Sequence, residues 1–462
     1  MKITKSIILT SFCSFSLLAS AQNGSISPAI LKQLQTAGKL SITDRVVRNA
    51  LQNADISTLA TNAENQGEKN YHFSNEVPSK GITDQESSGR CWLFSGLNVL
   101  RSQAIREQNL TGLEFSQVYL FFYDQLEKSN LFLQAIIDTR DKAMTDQTVD
   151  WLFRNPLSDG GTFCGTADLV MKYGLVPSGA MPETYASNNT SRFTSLIKRK
   201  LREDALRLRE AKKAEAEKMK VDMLKEIYHI LVLGFGEPPT SFTWAPKSAD
   251  GKYLSQPQEY TPKSFYKQLF GSADLTTDYI MLMNDPTRPY WKTYEISYDR
   301  HTYDGHNWCY LNVPMEEIKN AAIASIKDST MMYMSCDVGK ELDRTRGLLD
   351  LNNFDYASVL GVRFGMDKKQ RILSFDSGST HAMALMAVDL DADGKPAKWM
   401  VENSWGSKSG HNGHLIMTDK WLDEYLFRLV VAKRYVSEKM LRAAAQKPEI
   451  LPCWDPMFAS EE

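Results

Sequence analysis

Apolar residues recur at helical spacing along much of the first half of the chain. From Cys91 to about Gln108 they follow one another near intervals of three or four positions, which predicts a helix that begins at the cysteine. Further helices are expected over 115–126, from the Asp-Gly-Gly turn at 159–161 to Tyr173, and over 195–233, a stretch without glycine or proline.

The second half of the chain is richer in short apolar runs of strand length. A helix is expected over 315–327 and another over 419–427, the latter followed by a strand over 428–434. Shorter strand-like runs occupy 294–298, 332–336, 358–364, 383–388 and 399–402. Helices that come first and strands that come later indicate an α+β fold.

The composition excludes several classes of protein. Of 462 residues, 42% are hydrophobic and 24% are charged, which rules out a wholly disordered chain or a disulfide scaffold. The formal net charge of −2 rules out a polycation that coats nucleic acid. One segment, 198–220, holds ten Lys/Arg against five Asp/Glu. A solvated, ion-paired helix face is the favoured interpretation, and a nucleic-acid or partner surface is the alternative.

The first residues have the order of a secretory signal peptide. Lys2 and Lys5 precede a mostly apolar stretch over 7–18, and Ala-Ser-Ala at 19–21 supplies a cleavage site after Ala21. An N-terminal helix of the folded protein is the alternative. We therefore expect export to the periplasm or the medium and no membrane span. Removal of residues 1–21 takes away Cys13 and leaves five cysteines. Five is an odd number, so at least one of them has no disulfide partner within the chain.

Cys91 has the sequence surroundings of a nucleophile. A thiol at the start of a helix lies at the positive end of the helix dipole, which favours the reactive thiolate. Gln85 lies six residues earlier, where its amide could donate to the oxyanion of a tetrahedral intermediate together with the Cys91 backbone N–H. The alternative for Cys91 is the usual one for a lone cysteine, a small buried hydrophobic residue.

A nucleophilic cysteine needs a base and a group that orients the base. His381 opens a strand-like run, and Asn403 follows 22 residues later, at the end of the next run. Two neighbouring strands could bring the Asn403 carbonyl to one imidazole nitrogen and leave the other facing the thiol. Trp405 could then cover this hydrogen bond against water. The alternative for any one histidine is a surface or satisfied core position.

Two groups of residues that contain histidine are weak candidates for zinc ligation. His301, His306 and Cys309 form one group, and His411 with His414 forms the other, but neither has the spacing of a closed structural site. No phosphate loop or dinucleotide fingerprint occurs. We therefore predict no metal and no cofactor.

These pieces together resemble the papain-like cysteine peptidases, which carry Gln and Cys at the first helix, then His, then Asn-Ser-Trp-Gly. The resemblance is closer to the bleomycin hydrolase / aminopeptidase C branch of that superfamily. It rests on stretches spread over nearly all of the chain after residue 80, among them SSGRCWLFSGLNVLR (87–101), FSQVYLFFYDQLEK (115–128), THAM (380–383), VENSWG (401–406) and LPCWDP (451–456).

The resemblance implies a two-lobed papain-like fold with a large helical insertion and a C-terminal arm. The expected segments are a signal peptide (1–21), an N-terminal leader (22–80), a helical lobe with the catalytic cysteine (81–190), a mainly helical insertion (191–312), a β-rich lobe with the histidine and asparagine (313–440) and the arm (441–462).

The resemblance also implies a role for each candidate residue. Cys91 would be the nucleophile, His381 the base, Asn403 its orienter and Gln85 the oxyanion donor. Gly160 and Gly161 would line the cleft and offer backbone hydrogen bonds to an extended substrate. The arm would end in the cleft, where the carboxylate of the terminal Glu462 would pair with the free α-ammonium of a substrate.

The function expected from this resemblance is that of a cysteine aminopeptidase. It would hydrolyse N-terminal residues from peptides and related amides through a thioacyl-enzyme, as a homo-oligomer for which the family suggests a hexamer. An endopeptidase of the same chemistry is one alternative and differs in whether a free N-terminus is required. The alternative from another class is a non-catalytic or nucleic-acid-binding oligomer that uses the basic segment 198–220.

Overall fold

The structure is a computed structural model of the chain, and it describes residues 24–65, 70–248 and 250–458. The predicted cleavage site after Ala21 and the residue Glu462 lie outside these residues. The helices α1 to α16 span Pro28–Ala37, Ile42–Leu51, Ile56–Ala60, Cys91–Gln108, Gln117–Asp138, Gln147–Arg154, Phe163–Tyr173, Tyr185–Asn188, Thr190–Glu210, Lys213–Phe235, Pro262–Phe270, Met315–Lys327, Tyr356–Leu360, Lys368–Leu373, Asp419–Tyr425 and Glu438–Ala444.

The strands β1 to β14 span Asn75–Glu76, Phe242–Trp244, Gln258–Tyr260, Tyr279–Met283, Lys292–Ile296, Cys309–Asn312, Met332–Cys336, Leu342–Asp343, Leu348–Leu349, His381–Leu390, Pro396–Glu402, His414–Thr418, Leu426–Ala432 and Glu449–Leu451. Most belong to one mixed sheet with the order β14-β5-β6-β4-β13-β7-β10-β11-β12-β9-β8, and β1 pairs with β10. Strands β2 and β3 form a separate hairpin-like pair.

Helix α4 connects the helical part of the fold to the sheet. It packs against α5 and α7 as well as against β10 and β7. Its side chains are buried almost all round, with Leu93 and Leu100 fully enclosed, because neighbours surround it on several sides. The N-terminus of α4 therefore lies where helices and sheet meet, which is the arrangement of the predicted two-lobed papain-like α+β fold.

The described chain divides into two compact units. Residues 24–61 and 355–362 form the smaller unit, in which α3 packs against α13 and the Asp355 N–H donates to the Ala60 carbonyl at 2.7 Å. The larger unit contains the sheet and the long helices, and residues 62–80 of the predicted leader belong to it.

The prediction of a strand over 358–364 was wrong. Residues 356–360 form the short helix α13, because Asp355 caps it through the Ser358 N–H at 3.0 Å and Gly361 ends it in the left-handed conformation, with φ +66°. The β-branched and apolar side chains that suggested a strand are exposed at Val362 and Phe364, so no sheet pairing stabilises them.

Basic side chains of the segment 198–220 form ion pairs and hydrogen bonds with other parts of the chain. Lys200 lies 3.0 Å from Asp204 and 2.9 Å from Glu226, an ion-paired link between α9 and α10. Arg202 donates to the Phe153 carbonyl at 2.8 Å and Arg209 donates to the Thr139 carbonyl at 3.1 Å. These contacts agree with an ion-paired helix face. No helix in the described ranges is both long enough and apolar enough to cross a membrane.

Candidate active site

Cys91 is the first residue of α4, and its thiol is half-buried at the helix start. Burial raises the pKa of the Cys91 thiol, and the backbone N–H groups of Ala382, Trp92 and Cys91 itself oppose this rise. The groups at the helix N-terminus thus act in the predicted direction, but burial outweighs them. The expectation of a thiol with a lowered pKa is therefore not met.

His381 and Asn403 meet at the start of β10 and the end of β11. The antiparallel register pairs Ala384 with Glu402 and so brings the residue after Glu402 beside the imidazole. His381 Nε2 lies 2.8 Å from Asn403 Oδ1. Because the amide oxygen can only accept, Nε2 carries the proton and Nδ1 keeps a lone pair. Burial lowers the pKa of His381 to about 4, so the ring is neutral at physiological pH.

Trp405 lies against the imidazole, as predicted. The two ring centroids are 4.8 Å apart and the planes are tilted by 34°. The Arg344 guanidinium packs over the Trp405 ring at 5.1 Å. The indole therefore restricts the ring orientation of His381 and helps to keep water from its bond with Asn403.

Gln85 is held by a residue that the sequence interpretation missed, Ser404. The Ser404 hydroxyl donates to Gln85 Oε1 at 2.7 Å, and its backbone N–H donates to Asn403 Oδ1 at 2.8 Å. Gln85 Nε2 donates to the Ser88 carbonyl at 2.7 Å, which uses one of its two N–H groups. Ser404 thus fixes which end of the amide faces the cleft. Its position between Asn403 and Trp405 was the only sequence signal.

Gly160 and Gly161 form one wall of the cleft. The Gly160 N–H donates to Ser158 Oγ at 3.0 Å and its carbonyl accepts from Lys128 Nζ at 2.6 Å, so both of its backbone groups already have partners within the chain. Gly161 has no room for a side chain, since a Cβ would lie 2.2 Å from His301 Cε1. The backbone hydrogen bonds from these glycines to an extended substrate stay a prediction.

The two histidines of the first candidate zinc group are hydrogen-bonded to carboxylates. His301 Nδ1 lies 2.5 Å from Asp124 Oδ1, and His306 Nδ1 lies 2.7 Å from Asp168 Oδ1. Within the described ranges, no group of three or more His, Cys, Asp or Glu side chains is arranged to hold a metal ion. The five described cysteines are free thiols. Cys164 and Cys336 are buried, in line with their interpretation as packing residues.

One cavity of about 660 Å³ joins these groups. Its lining includes Gln85, Cys91, Gly160, Gly161 and His381, together with the cations Lys198 and Arg428. The predicted nucleophile, base, oxyanion donor and glycine wall therefore share one cleft, with Asn403 and Trp405 packed behind the imidazole. The catalytic roles themselves remain predictions.

The described end of the C-terminal arm lies beside this cleft, where Phe458 lines the neighbouring cavity that shares Gly160 and Gly161 with it. Asp455 pairs with Arg288, and Met457 and Phe458 are buried in the core. The Phe458 ring centroid lies 5.7 Å from the guanidinium carbon of Arg428, which lines the cleft.

Comparison with known proteins agrees with this geometry. Residues 25–458 match the Peptidase C1-like family. Bleomycin hydrolase from Homo sapiens is 39% identical over 405 residues, which cover 84% of this chain and 89% of that protein. Aminopeptidase C from Streptococcus thermophilus is 35% identical over 418 residues, which cover 89% of this chain and 93% of that protein. The crystal structure of PepW from Lactobacillus rhamnosis is 33% identical, covers 94% of this chain and 99% of its own, and superimposes with a TM-score of 0.89.

Proposed function

The chain belongs to the Peptidase C1-like family, and we propose that it is a cysteine aminopeptidase that releases N-terminal residues from peptides and related amides. One observation carries the proposal: Cys91 and His381, which is hydrogen-bonded to Asn403, line one cleft, and the described end of the C-terminal arm lies beside that cleft at Phe458. The relatives named above are bleomycin hydrolase and aminopeptidase C, which supports the same activity.

The proposed mechanism assigns one step to each of these side chains. His381 Nδ1 accepts the Cys91 proton as the sulfur attacks the substrate carbonyl, which forms a tetrahedral oxyanion. The Cys91 N–H and the second Gln85 N–H donate to that oxyanion. Collapse of the intermediate transfers the proton from His381 to the leaving amine and leaves a thioester. Water, activated by the same imidazole, then hydrolyses the thioester and frees the thiol.

Removal of the Gln85 amide should slow catalysis strongly. Gln85→Ala is expected to lower kcat by ~10²–10³, because one preorganised oxyanion donor is lost. Gln85→Glu is the matched variant, since it keeps the side-chain length and the acceptor for Ser404 but lacks N–H groups. We expect Gln85→Glu to be at least as impaired, measured as kcat on an aminoacyl amide. Activity of Gln85→Ala close to that of the parent would contradict the role of oxyanion donor.

The C-terminal arm supports exopeptidase over endopeptidase activity. Segment 459–462 follows Phe458 directly and ends in two glutamates. A carboxylate in the cleft would pair with the free α-ammonium of a substrate. A blocked amine would leave that carboxylate desolvated and without a partner, which is costly. The enzyme would therefore measure its cut from the N-terminus.

Deletion of residues 459–462 should weaken the preference for a free N-terminus. The cut is placed after Phe458 because Met457 and Phe458 are buried and contribute to the core. We expect kcat/KM to fall for peptides with a free amine and to rise for the same peptides after N-acetylation. Full retention of the free-amine preference by the truncated enzyme would show that the arm does not determine specificity.

We also propose that the chain is exported after cleavage of residues 1–21. The support is the order of Lys2, the apolar stretch 7–18 and the Ala-Ser-Ala site. The mature protein recovered from producing cells should begin at Gln22 by mass spectrometry. Recovery of the protein with an intact Met1 from the cytoplasm would contradict the proposal.

A homo-oligomer, with a hexamer as the form that the family suggests, is likewise proposed. The polar helices α9 and α10 would supply contact surface, since Leu206 and Leu233 on them are exposed. A monomeric mass by light scattering would exclude it.

A further inference from the structure

One face of helix α9 lines the catalytic cleft. The α9 residues of the cleft lining are Ser191, Thr194, Ser195 and Lys198, which follow one another at the spacing of a single helix face. Ser191 and Ser195 are exposed, and their short side chains leave room beside the helix. The helix therefore presents a polar surface to the cleft that takes no part in the proposed mechanism.

A chain of contacts places this surface next to the nucleophile. Thr194 Oγ1 donates to Asp159 Oδ1 at 2.8 Å, and the Asp159 carbonyl accepts from Trp92 Nε1 at 2.8 Å. Trp92 is the residue after Cys91. A Cβ at Gly89 would lie 2.8 Å from Asp159 Cβ, so the loop before the nucleophile also touches Asp159. Asp159 therefore lies between α9 and the first turn of the nucleophile helix.

The proposed mechanism sets the direction in which a substrate lies across Cys91. The leaving amine takes its proton from His381, so the leaving group lies towards β10. The residue whose carbonyl is attacked lies on the other side, where Gly89 and Asp159 form the wall. In an aminopeptidase that residue is the N-terminal one. Its side chain is therefore within reach of Asp159 and of α9.

The polar groups at this position are hydrogen-bond acceptors. Ser195 Oγ donates its own proton to the Arg192 carbonyl at 2.7 Å, so it offers lone pairs to a ligand. The Asp159 carboxylate accepts from Thr194, and within the described residues no other hydrogen bond reaches it. We propose that Asp159 and Ser195, with Ser191 beside them, bind the side chain of the N-terminal substrate residue and select side chains that end in a hydrogen-bond donor, such as lysine.

This inference rests on the proposed function and names the substrate class of the same site. Lys198 lies about one turn further along α9 and lines the neighbouring cavity as well, so its charge opposes that of Asp159. The selection therefore depends on hydrogen bonds to Asp159 and Ser195 more than on net charge. An aliphatic side chain of similar length offers these acceptors no donor and binds less well.

Lysyl and norleucyl 4-nitroanilides test the choice of donor at similar side-chain length. We expect the parent to hydrolyse the lysyl substrate at the higher kcat/KM, and Asp159→Asn to lower the lysyl-to-norleucyl ratio about tenfold or more, the loss expected for a hydrogen bond between charged groups. Asparagine keeps the acceptor for Thr194. Glu203→Gln, at an exposed carboxylate of α9 outside the lining, is the matched control and should leave the ratio unchanged.

A larger side chain on α9 tests the position of the pocket independently. Ser195→Leu should lower kcat/KM for the lysyl and norleucyl substrates about tenfold or more relative to the alanyl substrate, because the clash acts against long side chains alone. Ser195 is exposed, so the fold should tolerate the change. Arg199→Leu places the same side chain at an exposed position of α9 outside the lining and should leave this ratio unchanged.

Two results would overturn the inference. One is a lysyl-to-norleucyl ratio that is equal in the parent and in Asp159→Asn. The other is a ratio of long to short side chains that Ser195→Leu leaves unchanged.

Failure of the proposed function has a different signature. If the parent hydrolyses the N-acetylated substrates but not the free ones, the aminopeptidase assignment fails. The pocket is then measured with acetyl-lysyl, acetyl-norleucyl and acetyl-alanyl 4-nitroanilides, whose side chains precede the same scissile bond. The expected changes in Asp159→Asn and Ser195→Leu would uphold the pocket, and their absence would overturn it.

Discussion

Replacement of Cys91 by alanine is expected to abolish peptide hydrolysis and to leave the fold unchanged. The sulfur is the nucleophile of the proposed mechanism, and the neighbouring thiol of Cys336 is fully buried, so it should not replace the Cys91 thiol. The side chain is half-buried and only one heavy atom is lost, so the packing of α4 should tolerate the change. The measurements are kcat on an aminoacyl amide and the thermal unfolding midpoint of both proteins.

A second cysteine provides the matched control for this experiment. Cys309, on β6, is also half-buried and free, and Cys309→Ala should retain the activity of the parent. His381→Ala should be nearly as severe as Cys91→Ala, because nucleophile and base act as a unit. Asn403→Ala should be milder, since Asn403 orients the ring and does not exchange protons. Turnover by Cys91→Ala at the rate of the parent would refute the mechanism.

The resting charge of the catalytic pair follows from burial. Burial raises the pKa of Cys91 and lowers that of His381 to about 4, so both shifts favour a neutral thiol and a neutral imidazole at pH 7. The sequence suggested a thiolate because only the helix N-terminus can be read from it. How deeply α4 is enclosed depends on β7 and β10, which lie more than 200 residues later in the chain.

The sequence predicted best what local patterns encode. The bounds of α4 and the start of β10 follow from periodicity, and the pairing of His381 with Asn403 follows from two adjacent strands. It missed contacts that join distant segments. Ser404 holds Gln85 although they are 319 residues apart, and Asp124 holds His301 across 177 residues. Nothing near either residue specifies its partner, so only the folded chain shows these bonds.

A buried ion pair behind the active site is another contact between segments that are distant in the chain. Arg101 on α4 lies 3.0 Å from Glu402, the residue before Asn403, and both side chains are almost fully enclosed. Arg101 also donates to the Gly81 carbonyl at 2.5 Å, and the Ser79 hydroxyl donates to Glu402. The pair thus connects three segments: the loop that leads to Gln85, the nucleophile helix and the strand β11, which ends just before Asn403.

Glu402→Gln is expected to destabilise the protein by about 3–5 kcal/mol, because removal of one partner leaves the other charge buried without compensation. Asp222→Asn is the matched control, since the Asp222–Lys225 pair on α10 is exposed to solvent and should contribute little to stability. The measurement is the denaturant midpoint at equal protein concentration. An equal, small effect of both substitutions would show that the buried pair contributes no more to the stability of the fold than the exposed pair. We further expect Glu402→Gln to lower kcat at temperatures where the protein stays folded, since the Gln85 loop and Asn403 both depend on this carboxylate for their position.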